Sequence, residues 1–291
     1  MESNLLRREI NNLRRNTGIS WEILEQDYIL SWMLYGISKT DKLRKTMIFK
    51  GGTALKKCYF GDYRFSQDLD FSVQGDYPKQ EELLSLIDHA CNTAGIASQN
   101  IDFKCNRYPE RDTHPEKQEV FVIQARLPWQ PDYNTSVKIE VTTQEKVFLP
   151  SGDKKIIHGY NEEFECWIAT YQIEEIIAEK IRAILQFAKK LHERGWGRSR
   201  VRDYYDLWRI LSTYENTVRK EILPDLVRQK CSTKSVSFDS VSDLFQDKLL
   251  ESLKEWGTWL EPIVPNLPDS SKVLKELKGQ LEDIFNKSNS A

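Results

Sequence analysis

The alternation of apolar and polar positions divides the chain into two stretches of different character. Residues 4–38 carry apolar side chains at helical spacing and read as two helices, with Ser20 placed to cap the second from Trp21. Residues 47–49, all apolar, predict a short buried strand, followed by the Gly51-Gly52 turn and a helix over 53–59. A second strand is expected at 69–73, a helix at 79–94 ended by Gly95, and strands at 101–105, 119–127 and 136–143. Pro109 and Pro115 bracket one polar loop between these strands, and Pro128 and Pro131 another. Downstream of Trp167 every periodic segment reads as helix: 173–191, 201–214, 217–229, 241–259 and 271–285. The expected plan is α+β, a mixed sheet with helices over residues 1–165 followed by a helical domain over 166–291.

Composition narrows the class. A chain of 291 residues, 40% hydrophobic and 30% charged, has the make-up of a globular protein with room for one large domain or two medium ones. No apolar run approaches the length of a membrane span. The first residues alternate apolar and charged side chains without the apolar core of a signal peptide, so a cytoplasmic protein with no membrane partner is expected. The five cysteines, Cys58, Cys91, Cys105, Cys166 and Cys231, are scattered and form no CxxC pair, and the four histidines have no ligand spacing. Neither a disulfide framework nor a zinc or histidine metal centre is expected. The net charge of −2 argues against a protein coated with positive charge. Residues 189–202, KKLHERGWGRSRVR, are nonetheless strongly basic and contain Trp196. They read either as a solvated loop or as an arm that contacts phosphates with an aromatic side chain available for stacking.

Residues 49–71, FKGGTALKKCYFGDYRFSQDLDF, concentrate the chemistry. Asp68 and Asp70, one residue apart on a strand, point to the same face. The Gly51-Gly52-Thr53 turn ahead of them follows a buried strand and opens a helix, a position from which backbone N–H groups and the Thr53 hydroxyl reach phosphate. Arg64 and Ser66 stand just before the acids, with either a supporting or a structural role. Paired carboxylates suit magnesium, which favours oxygen ligands, and nucleotidyl transfer uses two such ions to offset charge around the phosphorus. A third acid is Glu140, which shares a strand face with Lys138 in the alternating run Val137-Lys138-Ile139-Glu140-Val141. The alternative for that strand is a half-exposed edge with solvated charges.

Further downstream, apolar residues at 173, 176, 177, 181, 184, 187, 188 and 191 form one helical stripe. At roughly 100° per residue, Lys180 falls near its middle, where a lysine must snorkel, pair or serve chemistry. Glu179 lies off the stripe and reads as a solvated acid. Asp203 borders the face carrying Tyr204, Leu207, Trp208 and Leu211. A partly buried Lys180–Asp203 salt bridge is one reading and a role in triphosphate chemistry the other.

The blocks K-G-G-T-A-L from Lys50, R-F-S-x-D-L-D-F from Arg64, A-E-K-I-R-A from Ala178 and R-D-Y-Y-D-L from Arg202 resemble, in family order, the AbiEii/AbiGii-type nucleotidyltransferase toxins. The resemblance extends over most of the chain, including Glu25-Gln26-Asp27-Tyr28. It implies a polymerase-β-like nucleotidyltransferase core and a helical C-terminal half. It also implies that Gly52 and Thr53 with Asp68 and Asp70 form the first motif and that Lys180 and Asp203 carry the later ones, Asp68, Asp70, Lys180 and Asp203 being catalytic. Lys50, Gly51, Arg64, Ser66 and Lys138 join Gly52 and Thr53 as candidates for nucleotide contacts. Asp68 and Asp70 would hold two Mg2+ ions, with Mn2+ an alternative and Glu140 a candidate third ligand. Members are toxins of type IV toxin–antitoxin or phage-defence modules. Some add nucleotides to the 3′ acceptor end of tRNA, which stops aminoacylation. An NTP, an RNA acceptor such as tRNA and an antitoxin encoded alongside are therefore the expected partners. The chain departs from the wider superfamily in having threonine for serine at Thr53, and in the long interval to Asp68, where Lys56, Lys57 and Tyr63 have no assigned contacts. Two other functions stay open: nucleotidyl transfer to a protein or small molecule, and a nucleotide-binding module without catalysis.

Overall fold

The computed structural model describes residues 3–99, 101–108, 118–214 and 217–286. It divides into one unit of residues 1–145 and 150–171 and a second of residues 146–149 and 172–291.

In the first unit, α1 (Ser3–Thr17) and α2 (Trp21–Lys39) follow the N-terminal helical pattern, and the Ser20 hydroxyl accepts from the Ile23 amide to cap α2. Helix α2 is buried on most sides and carries the acids Glu25 and Asp27 inside. Glu25 is tolerated there because its oxygens accept from the indoles of Trp21 (2.5 Å) and Trp129 (2.7 Å) and from Gln130 and Thr135. After α3 (Asp41–Thr46) come β1 (Met47–Lys50) and α4 (Gly51–Ala54), which continues as a π-helical turn over Leu55–Tyr59. Then follow β2 (Asp68–Val73), α5 (Gln80–Ser98), β3 (Asp102–Arg107), β4 (Gln118–Arg126), β5 (Thr135–Thr142), β6 (Gly152–Lys155) and β7 (Trp167–Thr170).

These strands form one mixed sheet in the order β3-β4-β5-β2-β1-β7-β6. The β2–β5 and β1–β7 pairs are parallel and the rest antiparallel. One face carries Leu69, Phe71, Phe121, Ile123, Ala125, Val137, Ile139 and Val141, all buried, with α2 and α5 packed on the sheet. Each large apolar side chain so buried contributes about 1.5–3 kcal/mol. The two helices approach closely at Gly36, where a Cβ would come within 2.9 Å of the Ala90 carbonyl carbon. The opposite face at β2 and β5 carries Asp68, Asp70, Lys138 and Glu140, half-buried or exposed.

Several expected boundaries shift for identifiable reasons. Helix α5 runs through Gly95 to Ser98 and ends at Gln99 in the left-handed conformation. Gly95 supplies clearance instead of a stop, since a Cβ there would lie 3.1 Å from the Ile101 carbonyl oxygen. Strands β6 and β7, each of four residues, were too short to show a period; β7 pairs with β1 at Phe49 and Thr170, so the sheet-bearing unit reaches Tyr171. The expected polar loop between Pro109 and Pro115 lies outside the described residues.

In the second unit, α6 (Ile173–Arg194) packs against α7 (Val201–Thr213) and α8 (Leu223–Ser232). The helix expected over 217–229 begins late because Pro224 can occupy only its first turn. The segment expected as one helix over 241–259 is interrupted by the extended backbone of Gln246, which leaves a 3-10 turn over Val241–Phe245 and the short helices α9 (Asp247–Ser252) and α10 (Trp256–Leu260). Helix α11 (Ser270–Phe285) completes the unit, its N-terminus capped by Asp269. Glu175, fully buried, accepts from the amides of Phe148 and Leu149 and pairs with Lys230 at 2.8 Å. Lys230 in turn donates to the Lys146 carbonyl, which ties residues 146–149 to this unit.

Candidate active site

The turn between β1 and the π-helical segment sits directly against the acid-bearing strand. Gly51 has φ +79°, and a Cβ there would stand 3.0 Å from the Asp70 Cγ. Only glycine combines that backbone conformation with so close an approach. Gly52, with ordinary backbone angles, gives room to the end of the Arg64 side chain, whose Cζ would lie 3.1 Å from a Cβ. The Arg64 side chain is buried and donates to the Phe65 carbonyl at 3.2 Å. Thr53 is buried, and its hydroxyl donates to the Asp68 backbone carbonyl. The hydroxyl expected to reach phosphate thus locks the turn onto β2.

Sheet register brings the remaining polar residues together. Asp70 pairs with Lys50 on β1 and Glu140 on β5, while Asp68 pairs with Lys138 on β5. Register partners project to the same side, so Lys50, Asp68, Asp70, Lys138 and Glu140 share one face. The Lys50 ammonium lies 5.7 Å from the centre of the Tyr171 ring, whose hydroxyl is 2.6 Å from Ser72 Oγ. Ser66, half-buried, lies in the loop that leads into β2. The donors fit a hard divalent cation, being half-buried carboxylates on a rigid sheet with Asp70 braced by Gly51. Among the described residues no three acids, cysteines or histidines close into a preformed cluster, so Glu140 stands beside Asp70 by register alone.

The lysines between the turn and β2 are braces. Lys57 is buried and pairs with Asp27 at 2.8 Å, also donating to Ser31 at 2.9 Å. Burial works against the charged form of Asp27, but Lys57, Lys56 and hydrogen bonds from Lys57 and Tyr160 outweigh it and hold the carboxyl below its usual range. Lys56 lies 4.0 Å from the Phe65 ring centre, and Tyr63 stacks on Phe60. Burial pushes the neighbouring Cys58 thiol up to about 12, which keeps it protonated and unreactive.

Within the helical unit, Lys180 Nζ lies 2.9 Å from Asp203 and 2.6 Å from Asp206. Arg200 approaches the other oxygen of Asp203 at 3.5 Å. The expected ion pair is present, and Asp206, fully buried, is a member that sequence reasoning missed. Its signal was available: Asp203, Asp206 and Ile210 recur at helical spacing, so Asp206 shares a face with Asp203. Glu179 is not the solvated acid expected, since it lies 3.7 Å from both Arg182 and the buried Lys230. In the basic stretch, Trp196 is 71% exposed, while Lys189 donates to the Ser235 carbonyl and Arg202 lies over the Trp259 ring.

Among solved structures, MenT4, a nucleotidyltransferase toxin from Mycobacterium tuberculosis H37Rv, matches with a TM-score of 0.68 over 98% of this chain and 90% of that one. The identity is 17%, so the likeness is one of fold. Comparison with curated proteins finds no match. A family model described as the nucleotidyl transferase AbiEii toxin of type IV toxin–antitoxin systems matches residues 32–284. That span takes in the glycine turn, the acid strand and the Lys180 cluster, and the chain belongs to the AbiEii family of nucleotidyl transferase toxins.

Proposed function

We propose that this nucleotidyltransferase toxin moves a nucleotide from an NTP to the 3′ end of an RNA, tRNA in particular, with Mg2+ or Mn2+ as its metal, and so blocks translation. The observation that carries the transfer chemistry is the seating of the Gly51-Gly52 turn against Asp70, on the sheet face shared with Asp68 and Glu140. Asp68 and Asp70 hold the divalent ions, with Glu140 as a further ligand. When bound, such ions supply electrostatic stabilisation at the phosphorus undergoing substitution.

The chain's own residues supply the rest. The backbone of Gly51 and Gly52 lets a triphosphate approach where a side chain would stand in the way. Lys50, Arg64, Ser66 and Lys138 contribute charge and hydrogen bonds to it. Thr53 keeps the turn in register with the acids through Asp68. Lys180 offsets triphosphate charge. Asp203, 2.9 Å from Lys180 with Arg200 at its other oxygen, orients Lys180 or takes the proton of the incoming hydroxyl.

The RNA acceptor draws support from the family resemblance and from the exposed Trp196 in a basic stretch. Incubating the purified protein with total tRNA, Mg2+ and each labelled triphosphate in turn tests the reading. Label in tRNA is the expected result; label only in protein side chains or a small molecule overturns it. A binding module without catalysis would label nothing.

A further inference from the structure

The face that carries Asp68 and Asp70 does not stop at β5. Register continues it as rows: Asp68, Lys138, Val122 and Asn106 form one, and Ser136, Gln124 and Lys104 the next. Glu140 pairs with Val120, to whose carbonyl the Tyr108 amide donates at 2.8 Å. Lys104, Asn106, Tyr108, Arg126, Ser136 and Lys138 are exposed, and Val120 and Val122 are half-exposed between them. With strands about 4.8 Å apart, this open surface runs about 14 Å from β2 to β3.

Its chemistry is specific in kind. Lys138 reaches across β4 to lie 5.1 Å from the ring centre of Tyr108, which is itself 47% exposed. Lys104 lies 3.9 Å from the ring centre of Tyr133, and Arg126 approaches the same ring at 5.7 Å. Asn106 donates to Gln124 at 3.3 Å, placing two amides in the middle of the strip. Arg126 is also paired with Asp102, which leaves Lys104 and Lys138 as the main positive charges. Cations interleaved with ring faces, amides and small apolar side chains on a flat sheet suit phosphates, base edges and base faces together. An acidic protein segment would use the cations and leave the rings and amides without a role.

We infer that the open face of β5, β4 and β3 is the track for the single-stranded end of the RNA acceptor, guiding its terminal hydroxyl toward Asp68 and Asp70. This rests on the RNA reading above and adds the surface that binds the acceptor. Lys104, Tyr108 and Tyr133 are the residues it newly assigns, at a distance from the acids.

The test is fluorescence anisotropy of a labelled single-stranded RNA with the full chain, without NTP or divalent metal, for the parent, Lys104→Glu and Tyr108→Ala. Each substitution is expected to weaken binding roughly fivefold or more, and Lys104→Glu to flatten the salt dependence by about 0.7 in log–log slope. In the transfer assay, KM for the RNA should rise in both variants, and in Lys104→Glu the KM for the NTP should be unchanged. Folded variants, judged by unchanged melting temperature, that keep the parent's RNA affinity and acceptor KM would overturn the track while leaving RNA as the acceptor. Displacement of the RNA by polyglutamate at equal charge concentration would also overturn it, as would a parent that labels no RNA, which removes the acceptor reading itself.

Discussion

The hydroxyl of Thr53 donates to the backbone carbonyl of Asp68, so the glycine turn and the acid strand move as one piece. Most of what the site should do under mutation follows from that coupling and from the contact of Gly51 with Asp70.

Gly51→Ala forces a side chain into a left-handed position and against the Asp70 carboxylate. The backbone term alone costs about 1–2 kcal/mol. Gly75 also has positive φ, but among the described residues nothing lies within 4 Å of a Cβ there. Gly75→Ala should therefore lower the melting temperature to a similar degree and keep activity, whereas Gly51→Ala should lose transfer per folded molecule. Equal activity in the two variants would mean that the seating of Asp70 is unimportant.

Asp70→Asn keeps the shape and removes the charge. Loss of one preorganised electrostatic group typically costs about 100- to 1,000-fold in rate, and a loss of that order is expected here. Growth inhibition by the expressed protein should disappear with it. Toxicity equal to the parent's would separate growth arrest from catalysis.

Lys180→Ala takes the ammonium away from the fully buried Asp206 and leaves Asp203 with Arg200. Breaking a buried pair costs about 3–5 kcal/mol, so the variant should melt early. Lys180→Met combined with Asp206→Leu removes both charges of the buried pair and should regain much of that stability. Transfer measured per folded molecule should stay low in the double variant. Activity that returns with the melting temperature would make Lys180 a brace alone.

His158 is buried, stacked on Phe164, with Nε2 2.5 Å from Glu162 and no partner at Nδ1 among the described residues. Burial disfavours the imidazolium and lowers its pKa, outweighing the help from Glu162. With the folded pKa below the unfolded value of about 6.5, the unfolded chain binds more protons in between, so stability falls as pH drops below about 6.5. Thermal melts of His158→Gln should show a flatter pH dependence just below that value. A slope identical to the parent's would place the acid sensitivity elsewhere.

Strong local patterns were readable from sequence. Ser20 before an apolar helix, the all-apolar run ahead of Gly51-Gly52 and the alternation around Lys138 each leave a periodic mark, and each became the expected element. What escaped depends on distant partners. Strand β7 exists because Thr170 meets Phe49, and nothing in four residues announces that. Thr53 looks like a phosphate ligand in a glycine turn and Lys57 has no assigned contact, yet the Asp68 carbonyl and Asp27 take them, partners fixed only by the pairing of β2 and the packing of α2. Asp206 went unnoticed because a carboxylate among aromatic residues reads as exposed until its lysine is in place.

The parallel pairing of β2 with β5 and of β1 with β7 also bears on when the acid-bearing sheet can close during synthesis. Such pairs bring together residues far apart in the chain and close slowly, after their loops have been synthesised. A nascent chain that has emerged only as far as β2 carries both aspartates and the glycine turn, but neither neighbouring parallel strand. The sheet around the two aspartates is thereby incomplete until β5 and β7 have been synthesised.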